Sequence, residues 1–65
     1  MKNAALLLTV REKEVMNFLS RGLSYKEIAQ RLGVSHETVK KHLKNIYRKL
    51  RVQNKIEALI RLRIV

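Results

Sequence analysis

The chain has 65 residues, no cysteine, no proline and a formal charge of +10 at pH 7. A chain of that length is one domain burying only roughly 60% of its unfolded surface, so its core is compact and local, and disulfide frameworks and thiolate metal sites are excluded. No apolar run reaches the roughly 20 residues of a membrane span, and the charge points to a polyanion, either nucleic acid or an anionic membrane surface.

The opening "MKNAALLL" begins like a signal peptide, but its apolar stretch is short and "TVREKE" supplies no small-residue cleavage site. A reduced, cytoplasmic setting fits. Residues 1–7 read as an N-terminal lead or linker remnant, and 8–65 as the domain. Thr9-x-x-Glu12 reads as a capping box, followed by Val15, Phe18 and Leu19 before Gly22 stops the helix. Ser24-x-x-Glu27 is a second box; it opens a short helix carrying Ile28, Ala29 and Leu32, closed by Gly33. Ser35 caps the third helix from one side only, because threonine stands three residues on. Asn54-x-x-Glu57 opens a fourth helix toward the C-terminus. Strand alternation is absent, so the fold class is all-α, a compact four-helix domain.

All five acids are glutamates, each in or near the first turn of a predicted helix, where a negative side chain complements the helix dipole. None forms an isolated pair suited to acid–base work. His36 and His42 lie six apart, on different faces of one helix, a poor arrangement for a shared metal. No serine has both a base and an orienting acid at hand. The sequence therefore predicts no catalytic residue, no metal and no cofactor, and a protein that is not an enzyme.

The third helix carries the densest charge. Residues 35–51 hold six of the fifteen basic residues and one acid. Val39, Leu43, Ile46, Tyr47 and Leu50 follow steps of three and four, which gathers them into one stripe. At about 100° per residue, Glu37, Lys41, Lys44 and Arg48 fall opposite that stripe. Lys40 and Arg51 flank them on one shoulder, and Thr38 and Asn45 on the other. A charge run is usually a solvated face, but a surface built only for solubility mixes its signs, and this one is nearly all positive. The short helix just before it completes a helix-turn-helix arrangement, which needs a small residue at the close approach, a turn residue and an apolar anchor. Ala29, Gly33 and Val39 supply them, with Ile28, Leu32 and Val34 between the helices.

The stretch "LTVREKEVMNFLSRGLSYKEIAQRLGVSHETVKKHLKNIYRKLRV" closely resembles the LuxR/NarL/FixJ-type DNA-binding domain, the output domain of many bacterial response regulators and quorum sensors. The matching elements are Leu8-Thr9-x-Arg11-Glu12-x-Glu14-Val15, Gly22-x-Ser24-x-x-Glu27-Ile28-Ala29, Ser35-x-x-Thr38-Val39-Lys40-x-His42 and Lys49-Leu50. The resemblance covers about residues 6–65. It implies a four-helix domain whose third helix enters the major groove and whose fourth often mediates dimerisation. Two positions depart: Arg51 stands where the family usually has glycine, and Lys55 where it often has arginine. The first leaves the geometry after the third helix open.

Wheel and resemblance together assign roles. Lys40, Lys41 and Lys44 match base-facing positions, where lysine can donate to guanine O6 and N7. Glu37 shares their face and could accept from cytosine N4, or serve only as a dipole partner. Ser35, Thr38, Lys26, Asn45 and Lys49 are candidates for phosphate contacts that set register. His42 points toward the edge of the core stripe and is read as a packing residue. On the fourth helix, Ala58, Leu59 and Leu62 can face the core, whereas Ile56, Ile60 and Ile64 form a second stripe. That stripe either packs under "AALLL" or joins two copies of the chain, which would present two recognition helices to a palindromic or direct-repeat site. The expected partners are double-stranded DNA, a second copy held weakly through the fourth helix, and RNA polymerase as an optional third; no membrane is among them.

Two rivals bound this reading. Region four of a sigma factor shares "LSYKEIAQRLGVS…TVK" and would add a polymerase surface, but His42 and the long fourth helix favour the LuxR-type domain. A membrane-surface protein needs a bulky apolar face free for lipid, and the third helix's stripe is needed for the core.

Overall fold

The computed structural model describes residues 4–62, which form a 3-10 turn, Ala4–Leu7, and four helices: α1 (Val10–Ser20), α2 (Tyr25–Leu32), α3 (His36–Leu50) and α4 (Lys55–Leu62). No strand occurs among the described residues. Each helix starts where a polar side chain takes over backbone donors that the first turn leaves orphaned. At α1 the Glu12 amide donates to Thr9 Oγ1 at 3.1 Å, and the Thr9 amide donates to Glu12 Oε1 at 2.8 Å. Ser24 and Glu27 repeat the exchange at α2, at 3.2 and 2.8 Å. Ser35 caps α3 alone, accepting from the Thr38 amide at 3.1 Å. At α4 the expected box is displaced by one residue. Asn54 Oδ1 accepts from the Glu57 amide at 2.9 Å, but the Glu57 carboxylate reaches back to the Gln53 amide at 2.8 Å.

The helix ends share one device. The Val34 amide donates to the Ala29 carbonyl at 3.0 Å around Gly33, whose φ of 67° and ψ of 34° are left-handed. The Val52 amide donates to the Tyr47 carbonyl at 2.9 Å around Arg51, with φ 57° and ψ 47°. Both are wraps that satisfy the last carbonyls of a helix. Gly33 adopts this conformation without strain. Arg51, the one non-glycine residue with positive φ among those described, has a Cβ that clashes there. The departure from the family's glycine therefore leaves the turn intact and strains it.

The core lies where all four helices meet. Val15 and Met16 of α1, Ile28 of α2, Val39 and Ile46 of α3 and Ala58 of α4 have no exposed surface. Leu8, Leu19, Ala29, Leu43 and Leu50 complete the buried set. Each large aliphatic side chain among them contributes about 1.5–3 kcal/mol through burial. The 3-10 turn, within the segment read as a lead, lies against α3 and α4. α3 packs on α1, α2 and α4, so its buried stripe is the axis of the fold and its opposite face is left to solvent.

Among the described residues, one buried group is charged. Glu12 is 3% exposed, and its Oε1 accepts from Lys49 Nζ at 2.7 Å, tying the start of α1 to the end of α3. Burial pushes the Glu12 carboxyl up, but hydrogen bonds from Lys49 and the Thr9 amide, with the Lys49 charge, hold it below the usual 4.5. The sequence offers Glu12 as a cap and dipole partner; it is also the buried half of a part-buried ion pair with Lys49.

Candidate nucleic-acid interface

α2 and α3 are joined by three residues, Gly33, Val34 and Ser35, and the left-handed Gly33 turns the chain so that α3 crosses over α2. Ala29, Ile28 and Val39 are buried at the contact, with Leu32 and Val34 packed against them. Because Val39, Leu43, Ile46 and Leu50 are held inside, the same helix must turn Glu37, Lys40, Lys41, Lys44 and Arg48 outward, and all five are exposed. The four cations therefore line one face of a helix whose orientation the core fixes. Lys40 lies 3.8 Å from Glu37 in a pair that is 53% and 80% exposed, a loose surface contact worth at most about 1 kcal/mol. Lys41 and Lys44 have no ion-pair partner among the described residues.

The residues expected at phosphates are dispersed. Lys26 is exposed in the first turn of α2, and Ser35 is exposed at the start of α3. The Ser35 and Thr38 hydroxyls bond to each other at 2.9 Å, and Ser35 Oγ also accepts from the Thr38 amide at 3.1 Å, so both are partly committed to the cap. Asn45, half-buried, accepts from Arg48 at 2.6 Å and steadies that guanidinium on the exposed face. Arg48 was placed on this face by the helical wheel but given no role. Lys49 differs from the rest, since Glu12 already holds its ammonium. His42 is half-buried at the edge of the stripe. Ile56 and Ile60 of α4 are 59% and 62% exposed, while Ala58 between them is fully buried. Ile64 lies outside the described residues.

Sequence reasoning missed the aromatic side of the interface. Tyr25 opens α2, and its ring lies 6.0 Å from that of His36 at 45°, linking the first turns of the two helices. Tyr47 is half-buried beside it, and its hydroxyl is buried with no partner at ordinary hydrogen-bond distance. Burial, followed by the charge of the neighbouring Tyr25 phenol and a long side-chain hydrogen bond toward it, pushes the Tyr47 phenol up to about 12. No group of His, Asp and Glu side chains among the described residues could hold a metal, and none of the described helices is long and apolar enough to cross a membrane.

The family model described as bacterial regulatory proteins, luxR family, matches residues 6–62. The chain is 46% identical over 54 residues to the nitrate/nitrite response regulator protein NarP of Escherichia coli, covering 83% of this chain and 25% of that protein. It is 50% identical over 52 residues to the CsgBAC operon transcriptional regulatory protein of the same species, covering 80% of this chain and 24% of that one. With the transcriptional activator protein AnoR of Acinetobacter nosocomialis it shares 50% identity over 56 residues, 86% of this chain and 24% of the relative. The chain thus spans about a quarter of the length of these curated relatives.

Proposed function

Since the chain belongs to the luxR family of bacterial regulatory proteins, DNA-binding domains of transcriptional regulators rather than enzymes, we propose that it reads double-stranded DNA by laying α3 in the major groove. The observation that carries this reading is the two-sidedness of α3. Its stripe is fully committed to the core, and its outer face presents Lys40, Lys41, Lys44 and Arg48 together. A helix of that width fits the major groove of B-form DNA. Lys40, Lys41 and Lys44 then meet base edges, with Glu37 as an acceptor for cytosine. Lys26, Ser35, Thr38 and Asn45 meet phosphates, and Lys49 adds part of its charge.

A weak homodimer through α4 follows from Ile56 and Ile60, which are exposed one turn apart on the face away from Ala58. Ile64 extends the same stripe in sequence. Two such side chains per copy make a small contact, so pairing occurs mainly when DNA holds two copies together. In the cell the chain acts in the cytoplasm as a transcriptional regulator or its output domain, and the response-regulator name of one relative supports a two-component setting. The sigma-factor alternative draws no support from these relatives, which are regulators of the luxR kind.

Selection of bound sequences from random duplex DNA tests the reading. The expected result is an enriched motif containing two half-sites. Unenriched DNA, or binding to anionic vesicles that exceeds binding to duplex DNA at matched salt, would count against it.

A further inference from the structure

Between the first turn of α2 and the middle of α3 lies a pocket of about 320 Å³, lined by Tyr25, Lys40, Leu43, Lys44 and Tyr47. Its walls are two phenol rings and an aliphatic side chain. Lys40 and Lys44, one turn apart and both exposed, supply two positive charges at its rim. The buried Tyr47 hydroxyl has no partner at ordinary hydrogen-bond distance, and the Tyr25 phenol, itself a wall of the pocket, is its polar neighbour. Folded proteins rarely leave a buried polar atom so weakly partnered. With its ionisation pushed up to about 12, that phenol holds its proton at neutral pH and remains a donor. A donor with only a distant phenol for company, behind a cationic rim, suits an anionic oxygen.

We propose that this pocket seats one backbone phosphate of the bound duplex, with the Tyr47 hydroxyl donating to a non-bridging oxygen and Lys40 and Lys44 closing over it. The proposal rests on α3 being the recognition helix and adds a positioning residue to it. In a helix-turn-helix the first helix crosses the DNA backbone while the second enters the groove. A gap between α2 and α3 therefore faces phosphate rather than base edges. A thymine methyl would suit the apolar walls but leave the phenol and both ammoniums without an acceptor. Lysine stems swing aside readily, and each ammonium has three donors, so an ammonium aimed at a base edge can still face the neighbouring phosphate. A phosphate held in this way would fix the angle at which α3 enters the groove.

Tyr47→Phe keeps the ring and removes only the hydroxyl. The seat predicts that thermal melting is unchanged or raised, because a weakly partnered buried polar atom has gone. It also predicts about tenfold weaker binding to a duplex recovered by selection, the size of one hydrogen bond to a charged acceptor. The salt slope stays the same, because no charge is lost. Neutral methylphosphonates placed one at a time along the duplex locate the seat. One position weakens the wild-type chain by clearly more than it weakens Tyr47→Phe, which retains only the lysine contacts to that phosphate. The proposal is overturned if Tyr47→Phe binds as tightly as wild type, or loses affinity only as far as its melting temperature falls. Absence of salt-dependent duplex binding by the wild-type chain would instead remove the underlying reading of α3, and the seat with it.

Discussion

Lys44 and Lys49 stand on the same helix, five residues apart, and do different work. Lys49 Nζ lies 2.7 Å from a carboxylate whose side chain is 5% exposed. Lys44 is exposed without an ion-pair partner among the described residues. Both would count equally in a tally of positive charge. The difference teaches that packing divides the cations of α3 into those that hold the helix in place and those left exposed, which the proposed reading assigns to DNA. The tied lysine anchors the C-terminal end of α3 to α1, and the untied ones project from the rigid rod that results.

The largest expected effect comes from breaking the anchor. Lys49→Ala strands the buried Glu12 carboxylate and should lower stability by about 2–3 kcal/mol in urea denaturation, less than a fully buried pair because Lys49 is partly exposed. The pH dependence follows from the same pair. Glu12 has a folded value below its ordinary 4.5, so its stabilisation is complete above about pH 4.5 and is lost as pH falls through the lower folded value. Glu12→Gln should flatten that acid limb. An acid limb as steep in Glu12→Gln as in wild type would assign it to other carboxylates, such as the capping Glu27, whose backbone hydrogen bond from Ser24 also lowers it.

The untied lysine should show the reverse pattern. Lys44→Ala is expected to leave the melting temperature unchanged and to weaken binding to the preferred duplex by about 1–3 kcal/mol, relaxing preference at one base position. Equal losses on preferred and random duplexes would move Lys44 from reading bases to holding phosphates.

Two smaller changes sharpen the comparison at the end of α3 and beyond it. Arg51→Gly should relieve the left-handed strain and raise stability by about 1 kcal/mol, a rise of roughly 4–8 °C in melting temperature for a domain of this size. Ile60→Glu should change stability by less than about 0.5 kcal/mol, because the side chain is 62% exposed. It should abolish cooperative binding to a duplex with two half-sites while sparing a single half-site. Unfolding of the isolated domain by Ile60→Glu would place that isoleucine in the core.

What the sequence made legible was local. Thr9 with Glu12, Ser24 with Glu27, and Gly33 each act over a few residues, so spacing alone finds them, and the steps of three and four on α3 expose its stripe. What it hid was long-range or depended on side-chain reach. Glu12 and Lys49 are 37 residues apart, and a satisfied capping box removed any reason to seek another partner for Glu12. Met16 is fully buried, although the α1 pattern named only Val15, Phe18 and Leu19. Glu57 missed its expected box by one residue because the backbone entering α4 brings the Gln53 amide, not that of Asn54, within its reach. The weakly partnered Tyr47 hydroxyl depends on how α2 and α3 pack, and no spacing rule reports that.

The central claim, that α3 keeps its untied cations for DNA, is tested most directly by the salt dependence of binding to duplex DNA. The logarithm of affinity should fall linearly with the logarithm of salt concentration, with a slope of about −0.9 for each phosphate neutralised. Lys44→Ala, if its ammonium faces a phosphate as well as a base, should shallow that slope by up to about one such step, and Tyr47→Phe should leave it alone. An affinity that barely changes with salt would contradict the claim, whatever the strength of binding.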